Sequence, residues 1–250
     1  MSASRERLQV WPPVLMVSAA AWVLLAFQPM PAFCSISMMG SMGLHESMLT
    51  RNLLPSLAAS WALMLVAMML PLLVSPICYI RDHTFTHRRA RSIAFFLAGY
   101  GAIWMLAGTA LPTFAIVIQR FSLRSWMPLA VISAVAIIWQ SSPLKQRCLN
   151  RNHAHSDLSA FGWAADLDAF RFGWRHGIWC FGSCWALMLL TMIVSRSHLT
   201  VMFAVTLWLF AERLERPTPP RWSRRGPSRA VRLIVAQTRM RLQRAGTAMP

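Results

Sequence analysis

Acidic residues are scarce in this sequence. Only 8 Asp and Glu stand against 25 Lys and Arg in 250 residues, a formal charge of +17. Charged residues make up 13% of the chain, whereas an ordinary soluble domain has about 25%. So little charge, with 56% hydrophobic residues and a mean hydropathy of +0.45, puts the chain in the membrane class. Cysteine occurs five times and no CxxC pair exists, which excludes a zinc ribbon and leaves no disulfide framework. Catalytic signatures are missing as well. There is no GxSxG, HExxH, Walker or CxxCH sequence, so nothing points to an enzyme. Acids inside the apolar runs are nearly absent, Glu212 being the main one, which argues against a proton-driven transporter.

The basic excess suits either nucleic acid or an anionic membrane surface. Here it flanks apolar runs and no nucleic-acid-binding pattern accompanies it, so lipid is the expected partner and nucleic acid is not.

A helix needs about 20 apolar residues to span a bilayer. Six stretches meet or approach this: residues 11–31, 53–77, 92–118, 123–139, 172–194 and 198–210. The second contains Pro71 and Pro76, and the third contains Pro112. The first lacks a small-x-small cleavage site and reads as a retained helix rather than a signal peptide. The expected fold is therefore all-α, a polytopic bundle of about six transmembrane helices over residues 11–216. Residues 1–10 form a short N-terminal segment. With both termini inside, most basic residues fall on the cytoplasmic side. Only Arg51, Arg120, Arg124 and Arg196 fall outside, the positive-inside pattern.

Residues 217–250 form a basic tail. It opens on the breaker Arg216-Pro217-Thr218-Pro219-Pro220 and contains no acid. Over residues 229–244, Val231, Ile234, Val235, Thr238 and Leu242 share one helical face, with most of the Arg on the other. This predicts a basic amphipathic helix on anionic lipid; a disordered basic tail is the plainer alternative.

Soft ligands gather in the spans. His176, Cys180, Cys184 and Met188 recur every four residues and stack on one helix face. Imidazole, thiolate and thioether favour Cu(I) over harder ions. Gly177 and Gly182 on the same helix invite a close neighbour. Met64, Met68 and Met69 lie in the second span. At 1.5 Å per residue, Met68 and Met69 sit roughly 5–8 Å deeper than Met64, and Cys180 about 6 Å below Cys184. The two sets fall at matching depths, and contact between their helices would let them surround one ion. Plain packing is the alternative, since Cys and Met are ordinary core fillers.

The first outer loop adds Met30, Cys34, Met38, Met39, Met42, His45 and Met48, either a receiving cluster for a soft ion or an interfacial apolar loop. An inner segment carries Cys148, His153, His155, Asp157, Asp166 and Asp168 and reads more readily as a solvated loop than as a metal relay. His83 and His87, among Arg residues, read as solvated too.

The segment His176-Gly177-Ile178-Trp179-Cys180-Phe181-Gly182-Ser183-Cys184-Trp185-Ala186-Leu187-Met188 resembles the predicted metal-binding integral membrane protein family (DUF2182). This bacterial family has a branch that includes the membrane copper chaperone of a tyrosinase. Trp61 with Met64, Ala67-Met68-Met69, Pro71, Pro143-Leu144-Lys145, Cys148-Leu149 and Glu212-Arg213-Leu214 match it too. Ser183 and Asn152 stand where the family carries further Cys, and Ser195-Arg196-Ser197-His198 replaces a Gly- and Met-containing segment. The resemblance implies a multi-pass protein of the bacterial inner membrane that binds Cu(I) and delivers it to a cuproenzyme client. Its metal residues would be Cys180, Cys184, Met188, His176, Met64, Met68 and Met69. A structural or assembly subunit of a membrane complex, and a small-solute transporter, are the rival expectations.

Overall fold

The computed structural model describes residues 2–27, 46–120, 126–154, 158–159, 161–194, 197–223, 226 and 228–247. The described elements are α1 (Ser2–Phe27), α2 (Glu46–Met69), a 3-10 turn (Leu70–Leu73), α3 (Val74–His83) and a second 3-10 turn (Thr86–Arg88). These are followed by α4 (Arg89–Arg120), α5 (Met127–Ser141), α6 (Pro143–Asn152), α7 (Gly162–Ile193), α8 (His198–Leu214) and α9 (Ser228–Thr247). The protein is an all-helical bundle, as composition requires.

Among the described residues, four helical stretches are long and apolar enough to cross a membrane: Val10–Phe27, Pro55–His83, Thr86–Ala115 and Gly162–Ile193. The pair α5 and α6, bent by 63°, makes a fifth if it counts as one broken span. Helix α8 has 17 residues, about 26 Å at helical rise, somewhat short of the roughly 30 Å hydrocarbon core. Leu106, Ile137, Ile138, Phe203 and Leu207 point outward, which suits lipid better than water.

Several boundaries differ from the expectation. Helix α1 begins at Ser2, so residues expected as a polar leader are helical. The expected inner loop is largely helix. Cys148 lies on α6, and Asp166 and Asp168 lie in the first turns of α7. At 32 residues, α7 is about 48 Å long, and its charged N-terminal turns extend past any apolar stretch. Asp166 is buried and ion-paired with Arg88 at 3.0 Å and Arg91 at 2.7 Å, so it is not a solvated loop residue. Residues 30–45 of the outer Met cluster and His155 and Asp157 lie outside the described residues.

Proline explains how α2 joins α1. Pro71 has no N–H, so the Ala67 carbonyl loses its helical donor. A buried carbonyl must find another partner. The Ser18 hydroxyl donates to it at 2.8 Å and the Trp22 indole N–H at 3.1 Å. The chain tightens into the turn Leu70–Leu73 and resumes as α3. The break that the sequence marks with proline is thus fastened to α1 between Met64 and Met68.

Helix α7 packs along α4 more extensively than any other pair in the bundle. Two glycines permit it: a side chain at Gly99 would run into the backbone of Phe170, and one at Gly173 into that of Phe96. Gly173, rather than the expected Gly177, is the tighter of the α7 contacts.

Candidate metal centre

The stripe on α7 is buried as spacing predicts. His176, Cys180, Cys184 and Met188 all lie inside the bundle, with Cys180 only 1% exposed. Met64, Met68 and Met69 are buried as well. These three Met, both Cys and Met188 belong to one continuous hydrophobic cluster. Helices α2 and α7 meet through common neighbours, since α4 and α8 pack against both. Met48 falls in α2.

Cys180 is the polar focus. Its sulfur accepts an N–H from Arg213 at 3.1 Å and lies 3.4 Å from the Tyr100 hydroxyl in a second hydrogen bond. Its carbonyl accepts from the Ser183 hydroxyl at 2.7 Å and from the Cys184 thiol at 3.0 Å. Ser183 therefore turns back onto its own helix. The buried sulfur and the half-buried guanidinium together form a polar centre whose positive member comes from α8. His176 sits in an aromatic box, with the rings of Phe96, Tyr100 and Phe172 centred 6.0–6.1 Å away.

The third cysteine of the region approaches α7 from another side. A Cβ at Gly182 would lie 2.7 Å from the Cys148 sulfur, so the missing side chain makes room for that thiol. The Trp139 indole N–H donates to the Gly182 carbonyl at 3.0 Å. Arg151 lies over the Trp179 ring at 4.6 Å.

A second buried polar centre stands beside the first. The Lys145 ammonium and the Glu212 carboxylate are 2.5 Å apart. Gln140 and Trp208 donate to the same carboxylate oxygen at 2.9 and 2.8 Å. The motif segments around Lys145 and Glu212 thus meet in space.

Sequence reasoning missed Arg213 and Tyr100 as partners of Cys180. Arg213 reads as an ordinary basic residue at the inner end of a helix. Its signal was adjacency to the one acid in the spans, Glu212. Among the described residues, no three His, Cys, Asp or Glu side chains are grouped so as to hold a metal ion. Two cysteines alone do not close a site of such residues; thioethers would have to complete it.

A family model described as copper chaperone (PpoB2) matches residues 58–235. The chain belongs to this copper-chaperone family. The match takes in Met64, the α7 stripe, both buried polar centres and the start of α9. Copper chaperones are carriers rather than catalysts, and the chain is accordingly not an enzyme. No curated protein and no solved structure matches it.

Proposed function

We propose that the chain is a multi-pass membrane carrier that holds Cu(I) on Cys180 and Cys184 and passes it to a cuproenzyme. Met68, Met69 and Met188 supply thioethers, Met64 lines the same core, and His176 acts as a ligand or gate toward one end. On this reading the bundle spans a bacterial inner membrane six times, with both termini in the cytoplasm and the basic tail on anionic lipid.

The observation that carries the reading is the Cys180 sulfur, buried next to Cys184 in a Met-rich core and matched by a guanidinium. Burying a cation costs heavily unless it is paired, and a hydrophobic core needs no arginine aimed at a sulfur. The family's description as copper chaperone supports copper as the cargo. Thiolate and thioether are the donors that prefer its reduced form.

The test is elemental analysis of purified protein and of the Cys180→Ala/Cys184→Ala double variant. Copper is expected in the first and absent from the second. Unchanged stoichiometry in the double variant would sink the site.

The lack of three convergent His, Cys, Asp or Glu side chains among the described residues favours one rival. In a structural or assembly subunit the same Cys and Met merely pack. That reading expects no metal on purification and a stably co-purifying partner.

A further inference from the structure

A cavity of about 370 Å³ opens where α3, α6, α7 and α8 meet the tail helix α9. Ser75, Asn152, His153, His176, Arg213 and Arg229 supply its polar lining, and no acidic side chain does so among the described residues. Asn152 is 8% exposed, and neither its side-chain nitrogen nor its oxygen has a partner. An orphaned amide in a cavity wall offers a donor and an acceptor to an occupant with polar atoms. Arg213 stands between this cavity and the centre described above, lining the one and donating to the Cys180 sulfur of the other. Arg229 is set at the mouth by two bonds. Its guanidinium donates to the Leu214 carbonyl at 3.0 Å, and its backbone N–H donates to Glu215 at 2.5 Å.

The sign of this lining is the informative part. Glu215 lies against the Arg229 backbone but outside this lining, so the two arginines leave the cavity wall positive, which repels a free monovalent cation and draws in anions. Cu(I) bound by two small thiolates is an anion, and soft ligands of that kind are the ones it prefers.

We propose that this cavity is a loading port that admits copper as an anionic complex with a small thiol, not as a free ion. The proposal rests on the carrier reading above and adds the chemical form of the cargo. Written for a Cys180 thiolate, the first exchange forms a Cys180–Cu bond and breaks one Cu–S bond to the carrier. Copper remains Cu(I), and a carrier thiolate leaves with one negative charge. In the second exchange Cys184 replaces the remaining carrier, and its thiol proton goes to the departing sulfur. The Arg213 guanidinium, released from Cys180, faces the leaving thiolate in the cavity.

The port is tested without copper by two methanethiosulfonate reagents of similar size, one bearing a sulfonate and one a trimethylammonium group. The full-length protein is used, and the adduct on Cys180 is located by mass spectrometry. The anionic reagent should react faster, on the order of ten-fold, the lower range for electrostatic focusing in a cleft. Arg229→Glu, an exposed change, should bring the ratio to about one or below on the same basis. Asn152→Asp, close in shape, should lower it as well. Equal rates in the natural protein, or a ratio untouched by Arg229→Glu, overturn the port. Copper offered on glutathione should load faster than copper offered as its cationic acetonitrile complex, and Arg229→Glu should remove the difference. Equal loading from both donors overturns the anionic form of the cargo. A labelling preference with no copper retained from either donor overturns the carrier reading and the cargo assigned to the port.

Discussion

Two buried polar centres are anchored on consecutive residues of α8, and they are completed in opposite ways. Glu212 is held by three donors, a lysine, a glutamine and an indole, all on one of its oxygens, while its other oxygen has no hydrogen-bond partner and the group lines a cavity of about 400 Å³. Arg213 reaches a sulfur that keeps a cavity within one residue's reach. The first is charge-matched as a structural pair is, since buried charges persist where they are matched and hydrogen-bonded. The second is matched by a group that copper can displace. The difference separates what holds α8 to α6 from what α8 would contribute to the proposed copper site.

The comparison can be broken by removing one group at a time. Lys145→Ala should have the largest effect, because it strands the Glu212 carboxylate in the core. A loss of about 3–5 kcal/mol is expected, seen as a fall in thermal midpoint of the purified protein. Lys145→Met/Glu212→Leu should recover most of it, and both variants that fold should bind copper like the parent. A comparable loss of copper in the double variant would erase the distinction between the centres.

Arg213→Ala should cost less, about 1.5–3 kcal/mol for a hydrogen bond from a charged group. Unlike the lysine change, it should also alter copper loading. Tyr100→Phe should cost least, about 0.5–1.5 kcal/mol, with the copper content of the purified protein kept. An effect of Tyr100→Phe larger than that of Arg213→Ala would make the hydroxyl, not the guanidinium, the main partner of Cys180.

The α7 stripe was legible because period-four spacing on one helix is local information, and each of its members is buried. The four strongest spans were legible for the same reason. Pro71 announced a break, but not that Ser18 and Trp22 would satisfy the carbonyl it orphans, since those donors lie on another helix. Arg213, Tyr100 and the Lys145–Glu212 pair depend on contacts between distant segments. A charge at a helix end is read by default as a membrane-side marker. The inner segment misled for a different reason. Hydropathy follows apolar composition, and the charged first turns of α7 continue the helix beyond it.

The seat of Cys148 at Gly182 has a mechanical consequence. The two arms of the 63° elbow both grip that glycine. Trp139 of the first arm donates to its carbonyl, and Cys148 of the second fills the notch left by its absent side chain. Gly182 is also the midpoint between Cys180 and Cys184. The elbow is therefore braced on the short span of helix that sets the spacing of the two sulfurs, and a change in its angle would bear on that spacing.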